Sequence, residues 1–266
     1  MDSEKTGSNM IRFTTIIRDD EHSRKISSLI RKECEAIGWI YDEKEPTVVI
    51  TIGGDGTLLR AIHHYIDQLD QIGFIGIHTG TLGFFTDYTQ SQIPLFLQDV
   101  SHNPPSYDEF SLLELTLEDG QVLYAFNEFR IESFSRTLKL DIYINHEFFE
   151  RSTGSGICVC SQSGSTAINR ALGGAVIDDG LSVMELCEIM PISHKGHHSL
   201  KNPYIMRDDR IITIESEEMD EAQLCYDYFE RSLRDTKKVE IKTSTKKVRF
   251  FRYRPYSYLK RLKNLY

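Results

Sequence analysis

Residues 47–62 read Thr-Val-Val-Ile-Thr-Ile, then Gly-Gly-Asp-Gly-Thr, then Leu-Leu-Arg-Ala-Ile. The first six are apolar and β-branched, the pattern of a strand buried on both faces. The last five open a helical pattern. A glycine-rich turn therefore joins a strand end to a helix N-terminus, the joint on which open α/β sheets are built. Gly53, Gly54 and Gly56 permit positive φ and close approach by a ligand. The free N–H groups of the helix start, helped by the helix dipole, favour a phosphate. Asp55 places a carboxylate inside that anion site, where it is repelled unless it holds a metal ion or takes a proton. The plainer reading is a tight turn with a helix-capping Asp.

The elements before and after this joint alternate. Met10–Ile17 reads as a strand. Asp19-Asp20 caps a helix running to about Ile37, with Ile26, Leu29, Ile30, Cys34 and Ile37 at helical spacing. Trp39–Tyr41 is a short strand, and the helix after the glycine turn reaches about Leu69. Gly73–Ile77 is a further buried strand, followed by His78-Thr79-Gly80-Thr81-Leu82-Gly83-Phe84, and Ser91–Gln98 is a helix. The fold expected for this half is a doubly wound, parallel α/β domain, in which ligands gather at the carboxyl ends of the strands. Both glycine-rich turns lie at such ends.

Pro104-Pro105 within Ser101–Tyr107 marks the domain boundary. Beyond it the period shortens to two. Leu112–Leu117 and Val122–Phe126 flank Asp119-Gly120, a hairpin signal. Phe129–Glu132, Leu138–Ile144, Phe148–Glu150, Ile157–Cys160, Arg210–Glu215, Gln223–Tyr228, Val239–Lys242 and Val248–Tyr253 are further strands, interrupted by a loop and helix over Ser161–Leu172. The expected division is residues 1–103 with a returning tail, 246–266, as the α/β domain, and 104–245 as a β-rich, sandwich-like domain.

Charge and cysteine usage narrow the function. The net charge is −9, which argues against nucleic acid as a general partner. The tail Lys246–Tyr266 carries eight Lys or Arg among aromatics and reads as a last strand and helix packed on acidic neighbours. Cys34, Cys158, Cys160, Cys187 and Cys225 show no zinc-ligand spacing and read as reduced, mostly buried thiols. His194, His197 and His198 have no ordered metal spacing, so no protein metal site is expected. Residues 1–9 form a polar lead-in without a secretory h-region, and no apolar run is long enough to span a bilayer. A soluble cytoplasmic protein without a membrane partner is expected.

Two further stretches carry chemistry. Asn127-Glu128 ends a strand with an amide and a carboxylate, the donor and acceptors that ribose hydroxyls want; a self-capping turn reads as well. Gly154-Ser155-Gly156 and Ser161-Gln162-Ser163-Gly164-Ser165-Thr166-Ala167 lead small hydroxyl residues into a helix, either a second anion- or sugar-binding turn or an N-cap. There is no G-x-x-x-x-G-K-[ST] stretch, no H-E-x-x-H and no nucleophile elbow.

Gly53–Thr57, Thr79-Gly80-x-Leu82-Gly83-Phe84, Asn127-Glu128, Gly164-Ser165-Thr166-Ala167 and Leu172-Gly173-Gly174-Ala175 stand in the order and spacing of bacterial NAD kinases. The ending, Val248-Arg249-Phe250 through Arg252-x-Arg254-Pro255, resembles the Gram-positive branch. The glycine turn alone also occurs in phosphofructokinases and diacylglycerol-type lipid kinases; the stretches together are specific. The resemblance implies an α/β domain, a β-rich NAD-binding domain, and transfer of the γ-phosphoryl of ATP, or of polyphosphate in some members, to the adenosine ribose 2′-hydroxyl of NAD. It implies Mg²⁺ and a homodimer or homotetramer whose NAD sites borrow residues from a neighbour. By motif match Asp55 is the general base, and Gly53, Gly54, Gly56 and Thr57 hold phosphates. Phe84 flanks the adenine, Asn127 and Glu128 bind ribose, and Thr166 and Ala167 contact the adenine. The dinucleotide site also takes in Ser155, Ser163 and Ile168.

The chain departs from that family near the same site. Ser155 replaces an Asp, Ser161-Gln162-Ser163 replaces Thr-Pro-Thr or Thr-Pro-Ser, Ile168 replaces a Tyr, and Thr81 stands where His is common. A lipid kinase would require an apolar acceptor cleft or membrane-facing surface, and no amphipathic anchor is present. A non-catalytic dinucleotide sensor with the same fold is the other alternative.

Overall fold

The computed structural model of the chain describes residues 10–80, 83–193 and 199–264. Residues 1–9, Thr81, Leu82, His194, His197 and His198 lie outside them. The chain divides into two compact units, Met1–Glu109 with Val248–Tyr266, and Phe110–Lys247.

The first unit is a parallel sheet with helices. Its elements in order are β1 (Arg12–Ile17), α1 (Glu21–Ala36), β2 (Ile40–Tyr41), β3 (Val48–Gly53), α2 (Asp55–His64), β4 (Gly73–His78), β5 (Tyr88–Thr89) and α3 (Ile93–His102). β1 lies between β2 and β3, and β3 pairs with β4, all in parallel. β4 then takes β5 at its carboxyl end and the returning Arg249 and Phe250 at its start, again in parallel. Every residue of β3 and β4 is buried, as their unbroken apolar runs require. Phe13, Ile50, Ile52, Ile75 and Ile77 pack with Ile26, Ile30 and Cys34 of α1 and with Phe96 and Val100 of α3. Leu58, Ala61 and Ile62 of α2 are buried too.

Local chemistry sets the helix ends. The Asp20 side chain accepts the Ser23 N–H and caps α1. α2 stops at His64 rather than near Leu69. Turn bonds from Gln68 to Tyr65 and from Gln71 to Gln68 replace the helical ladder, while Tyr65, Leu69 and Ile72 remain buried; the apolar period continues although the helix does not. α3 runs later than the sequence reading, after a 3-10 turn over Gln90–Gln92 with a Thr89/Gln92 capping box.

The second unit is a sandwich of two sheets. Its elements are β6 (Ser106–Leu117, whose first residues belong to the first unit), β7 (Val122–Ala125), β8 (Glu128–Glu132), β9 (Leu138–Ile144), β10 (Glu147–Gly154), β11 (Gly156–Ser161), α4 (Ile168–Ala171), β12 (Val183–Ile189), β13 (Tyr204–Arg207), β14 (Ile211–Glu215), β15 (Gln223–Tyr226), β16 (Phe229–Ser232) and β17 (Lys238–Arg252, whose residues from Val248 on belong to the first unit). One sheet has the order β10-β9-β14-β17 with β6 and β7 beyond; the other has β13-β12-β11-β8-β15-β16. Leu115, Leu140, Ile142, Ile214 and Ile241 of the first meet Phe129, Ile131, Val159, Leu186 and Leu224 of the second. The second sheet's outer face carries Glu128, Arg130, Cys158, Cys160, Glu185 and Cys187 in facing registers, and Cys158, Cys160 and Cys187 cluster there with Ile189.

Candidate active site

Each unit carries candidate site residues of its own. In the first, the strand–turn–helix joint forms as its sequence requires. α2 begins at Asp55 with Gly54 as N-cap, so no side chain caps the helix, and the Asp55 and Gly56 N–H groups have no carbonyl in the helical ladder. Nothing lies within 4 Å of where a Cβ on Gly56 would stand. Gly54 has an ordinary φ of −106°, so these two glycines give access rather than unusual backbone. Gly53 is different: a Cβ there would meet Thr57 Oγ1 at 2.2 Å. The Thr57 N–H donates to the Gly54 carbonyl and its side chain is buried, so Thr57 braces the turn.

Asp55 does not cap its helix. Its carboxylate accepts the Phe84 N–H at 2.9 Å and the Phe85 N–H at 3.2 Å, which ties the first glycine turn to the second. His78 ends β4 beside it. The Gly80 N–H donates to His78 Nδ1 at 2.8 Å, which leaves Nε2 to carry the proton of the neutral ring. Burial pushes the His78 pKa down, against the opposing pull of Asp55, so the ring is neutral near pH 7. Phe84 is 8% exposed, its ring edge-on to Phe85 and Tyr258.

In the second unit, the end of β8 and the turn after β11 are joined. Ser161 donates its N–H to the Asn127 carbonyl and its hydroxyl to the Phe126 carbonyl, and accepts the Gly164 N–H. Asp227, at φ +48° between β15 and β16, accepts the Phe126 and Asn127 N–H groups at 2.9 and 2.7 Å. The Asn127 backbone is thus fixed, while its side-chain amide makes no hydrogen bond among the described residues. Glu128 is 4% exposed. Burial, then the Asp227 carboxylate, pushes its pKa up to about 8. Glu128 Oε2 and the Ser163 hydroxyl are buried polar atoms without a protein partner among the described residues. Such orphans are what a ligand with hydroxyls would satisfy.

Thr166 bonds back to the Ser163 carbonyl, Ala167 donates to the Gly164 carbonyl, and Ile168 opens α4 half-exposed. Behind them Glu185 accepts from Asn169 Nδ2 and the Ala175 N–H. Ser155 sits at the corner between β10 and β11, its N–H on the Ile189 carbonyl and its hydroxyl near Met190 Sδ.

Among the described residues no group of three or more His, Cys, Asp or Glu is arranged to hold a metal ion, and no helix is long and apolar enough to cross a membrane. The sequence reading missed Asp227, because it ran a strand over Gln223–Tyr228. An Asp breaking that alternation was the available signal.

The model of the ATP-NAD kinase N-terminal domain matches residues 11–104. An NAD kinase of Lactobacillus gasseri is 41% identical over 216 residues, 80% of this chain and 81% of that protein. NAD kinase 1 of Bacillus cereus is 32% identical over 260 residues, 96% of this chain and 98% of that protein. Among solved structures, yeast NADH kinase complexed with NADH superposes with a TM-score of 0.79 at 18% identity, covering 96% of this chain and 86% of that one. An Archaeoglobus fulgidus NAD kinase in complex with ATP gives 0.76 at 21%, covering 96% and 97%; these two speak for the fold alone. Identity of 41% and 32% over most of both sequences places the chain in the NAD kinase family.

Proposed function

We propose that this chain phosphorylates the adenosine ribose 2′-hydroxyl of NAD at the expense of ATP, giving NADP and ADP. The observation that carries the reading is the Asp55 carboxylate, fixed by two backbone N–H groups at the uncapped N-terminus of α2. Asp55 takes the hydroxyl proton as the ribose oxygen bonds to the γ-phosphorus and the bond to the β,γ-bridging oxygen breaks. Gly53, Gly54 and Gly56 admit the phosphates to the helix N–H groups, and Thr57 keeps the turn in shape. Phosphoryl transfer asks chiefly for positioning and charge neutralisation, which suits a backbone nest on an acidic protein.

In the second unit, the free Asn127 amide and the Glu128 carboxyl receive ribose hydroxyls. Ser163, Thr166, Ala167 and Ile168 line the adenine side, and Ser155 takes the place of a family carboxylate. The donor set fits Mg²⁺ of the kind carried by nucleotide phosphates with one protein carboxylate nearby, Asp55, rather than a protein cage. When bound it would neutralise phosphate charge. The free thiols support a reducing, cytoplasmic setting, and a homodimer or homotetramer completes the reading.

Purified protein with NAD, ATP and Mg²⁺, coupled to an NADP-specific dehydrogenase, tests the proposal. Steady NADP formation is the expected result. NAD binding by calorimetry without turnover would identify a sensor instead.

A further inference from the structure

The C-terminal tail grips the loop that grips Asp55. Tyr256 donates its hydroxyl to the Phe84 carbonyl at 3.1 Å. The N–H of that same peptide unit, Phe85 N, donates to Asp55 Oδ1. A peptide is planar and rigid, so fixing its carbonyl fixes the direction of its N–H. Two residues further, Arg261 donates to the Thr86 carbonyl. One residue beyond that, Arg252 pairs with Asp87 at 2.5 Å and with Asp108 at 2.8 Å. The Tyr258 ring meets Phe84 edge-on at 5.1 Å. Four tail side chains therefore hold positions 84, 86 and 87.

The arrangement is built rather than incidental. Arg252 is 4% exposed, with its guanidinium 4.2 Å from the Tyr256 ring centroid and 5.0 Å from that of Phe250. Arg261 Nη1 is buried without a partner among the described residues. Burial pushes the Arg261 pKa down, opposed by the charges of Tyr256, Asp87 and Asp55. A half-buried cation with one buried, unmet donor is retained at a cost, and here its bonded arm lands on the loop carrying the Asp55 contacts.

We propose that Tyr256 and Arg261 are positioning residues for the phosphoryl transfer. Neither touches a reacting atom. They set the orientation of the peptide between Phe84 and Phe85, and so the orientation of the Asp55 carboxylate. This rests on Asp55 as the base.

Four variants of the whole chain test it: Tyr256→Phe, Arg261→Met, Arg261→Lys, and, as a control, Leu259→Ala at an exposed position of the helix Tyr258–Lys263 that carries Arg261. Tyr256→Phe should lower kcat roughly three- to tenfold, and Arg261→Met about ten- to a hundredfold, with KM for NAD unchanged. Arg261→Lys, which keeps a charged donor, should recover most of the loss, and Leu259→Ala should behave as the parent. Hydrogen exchange at the Phe84 and Phe85 amides should accelerate in Tyr256→Phe and Arg261→Met but not in Leu259→Ala. Lowered melting temperature with unchanged kcat and unchanged exchange at these amides would overturn the inference. The exchange measurement does not depend on Asp55 being the base. That assignment fails separately, if Asp55→Asn in the otherwise unaltered chain turns over normally.

Discussion

Gly83 and Asp55 approach so closely that a Cβ on Gly83 would lie 2.6 Å from Asp55 Oδ1. The glycine is needed for contact, since only a backbone without a side chain can bring the next two N–H groups onto the carboxylate. Gly83→Ala should push the loop away and release both bonds. The expected result is a fall in kcat of tenfold or more, roughly the loss of one or two charge-assisted hydrogen bonds. Steady-state kinetics beside thermal melting would check it; parent-like kcat would mean the loop does not set the carboxylate.

Asp55→Asn changes little in shape but much in basicity. Turnover should fall by about 10²–10⁴ while NAD binding persists. The structure adds a second consequence. An amide can offer an oxygen to one of the Phe84 and Phe85 N–H groups but must turn its NH₂ toward the other. A modest loss in melting temperature should accompany the kinetic loss, and calorimetric NAD titration separates the two.

Glu128 makes stability depend on pH in a stated direction. Its pKa rises from 4.5 to about 8 on folding, so between these values the folded chain holds more proton than the unfolded one. Its contribution is fully present below pH 4.5 and is lost as pH rises through 8. Glu128→Gln should remove that part of the slope. Comparing melting temperatures of the two proteins from pH 5 to 9 would reveal it; parallel curves would show that Glu128 does not titrate in this range.

Asn127 separates binding from folding. Its backbone is fixed by Asp227 and Ser161, while its amide is unused among the described residues. Asn127→Ala should raise KM for NAD with little change in melting temperature, whereas Asp227→Ala should disturb both. Unaltered kinetics together with lost stability in Asn127→Ala would mark the residue as structural.

Ser155 and Ile168 stand where the family resemblance expects Asp and Tyr. A missing charge-assisted hydrogen bond is worth about 1.5–3 kcal/mol, roughly ten- to a hundredfold in affinity. NAD affinity should be weak, and Ser155→Asp with Ile168→Tyr should lower KM for NAD more than it changes kcat. A low-micromolar KM in the unaltered protein would contradict this.

The parallel sheet of the first unit was legible because β3 and β4 are uninterrupted apolar runs and α1 keeps helical spacing. The hairpin at Asp119-Gly120 was legible from its turn. β12 was not, because Glu185 and Cys187 are buried on the outer face of the second sheet and blur the alternation. β17 was read as two strands because Lys242–Lys247 is largely polar, although the ladder runs unbroken to Arg252. Of the site, the turns and Asn127-Glu128 were visible as residue types. Their couplings were not: Asp55 to residue 84, Asn127 to Asp227 and Tyr256 to Phe84 each join distant sequence positions, which no local pattern encodes.

The return of the chain after β17 has a consequence for synthesis. Residues 110–247 are contiguous and can fold as they leave the ribosome. The first unit cannot be completed then, since Arg249 and Phe250 pair with Gly73 and Phe74 and Tyr256 and Arg261 reach the loop at 84–86. The residues that reach this loop are translated after the whole of the sandwich, so a chain stalled or clipped near residue 250 would keep its sandwich and lose the Tyr256 and Arg261 bonds to the loop that contacts Asp55.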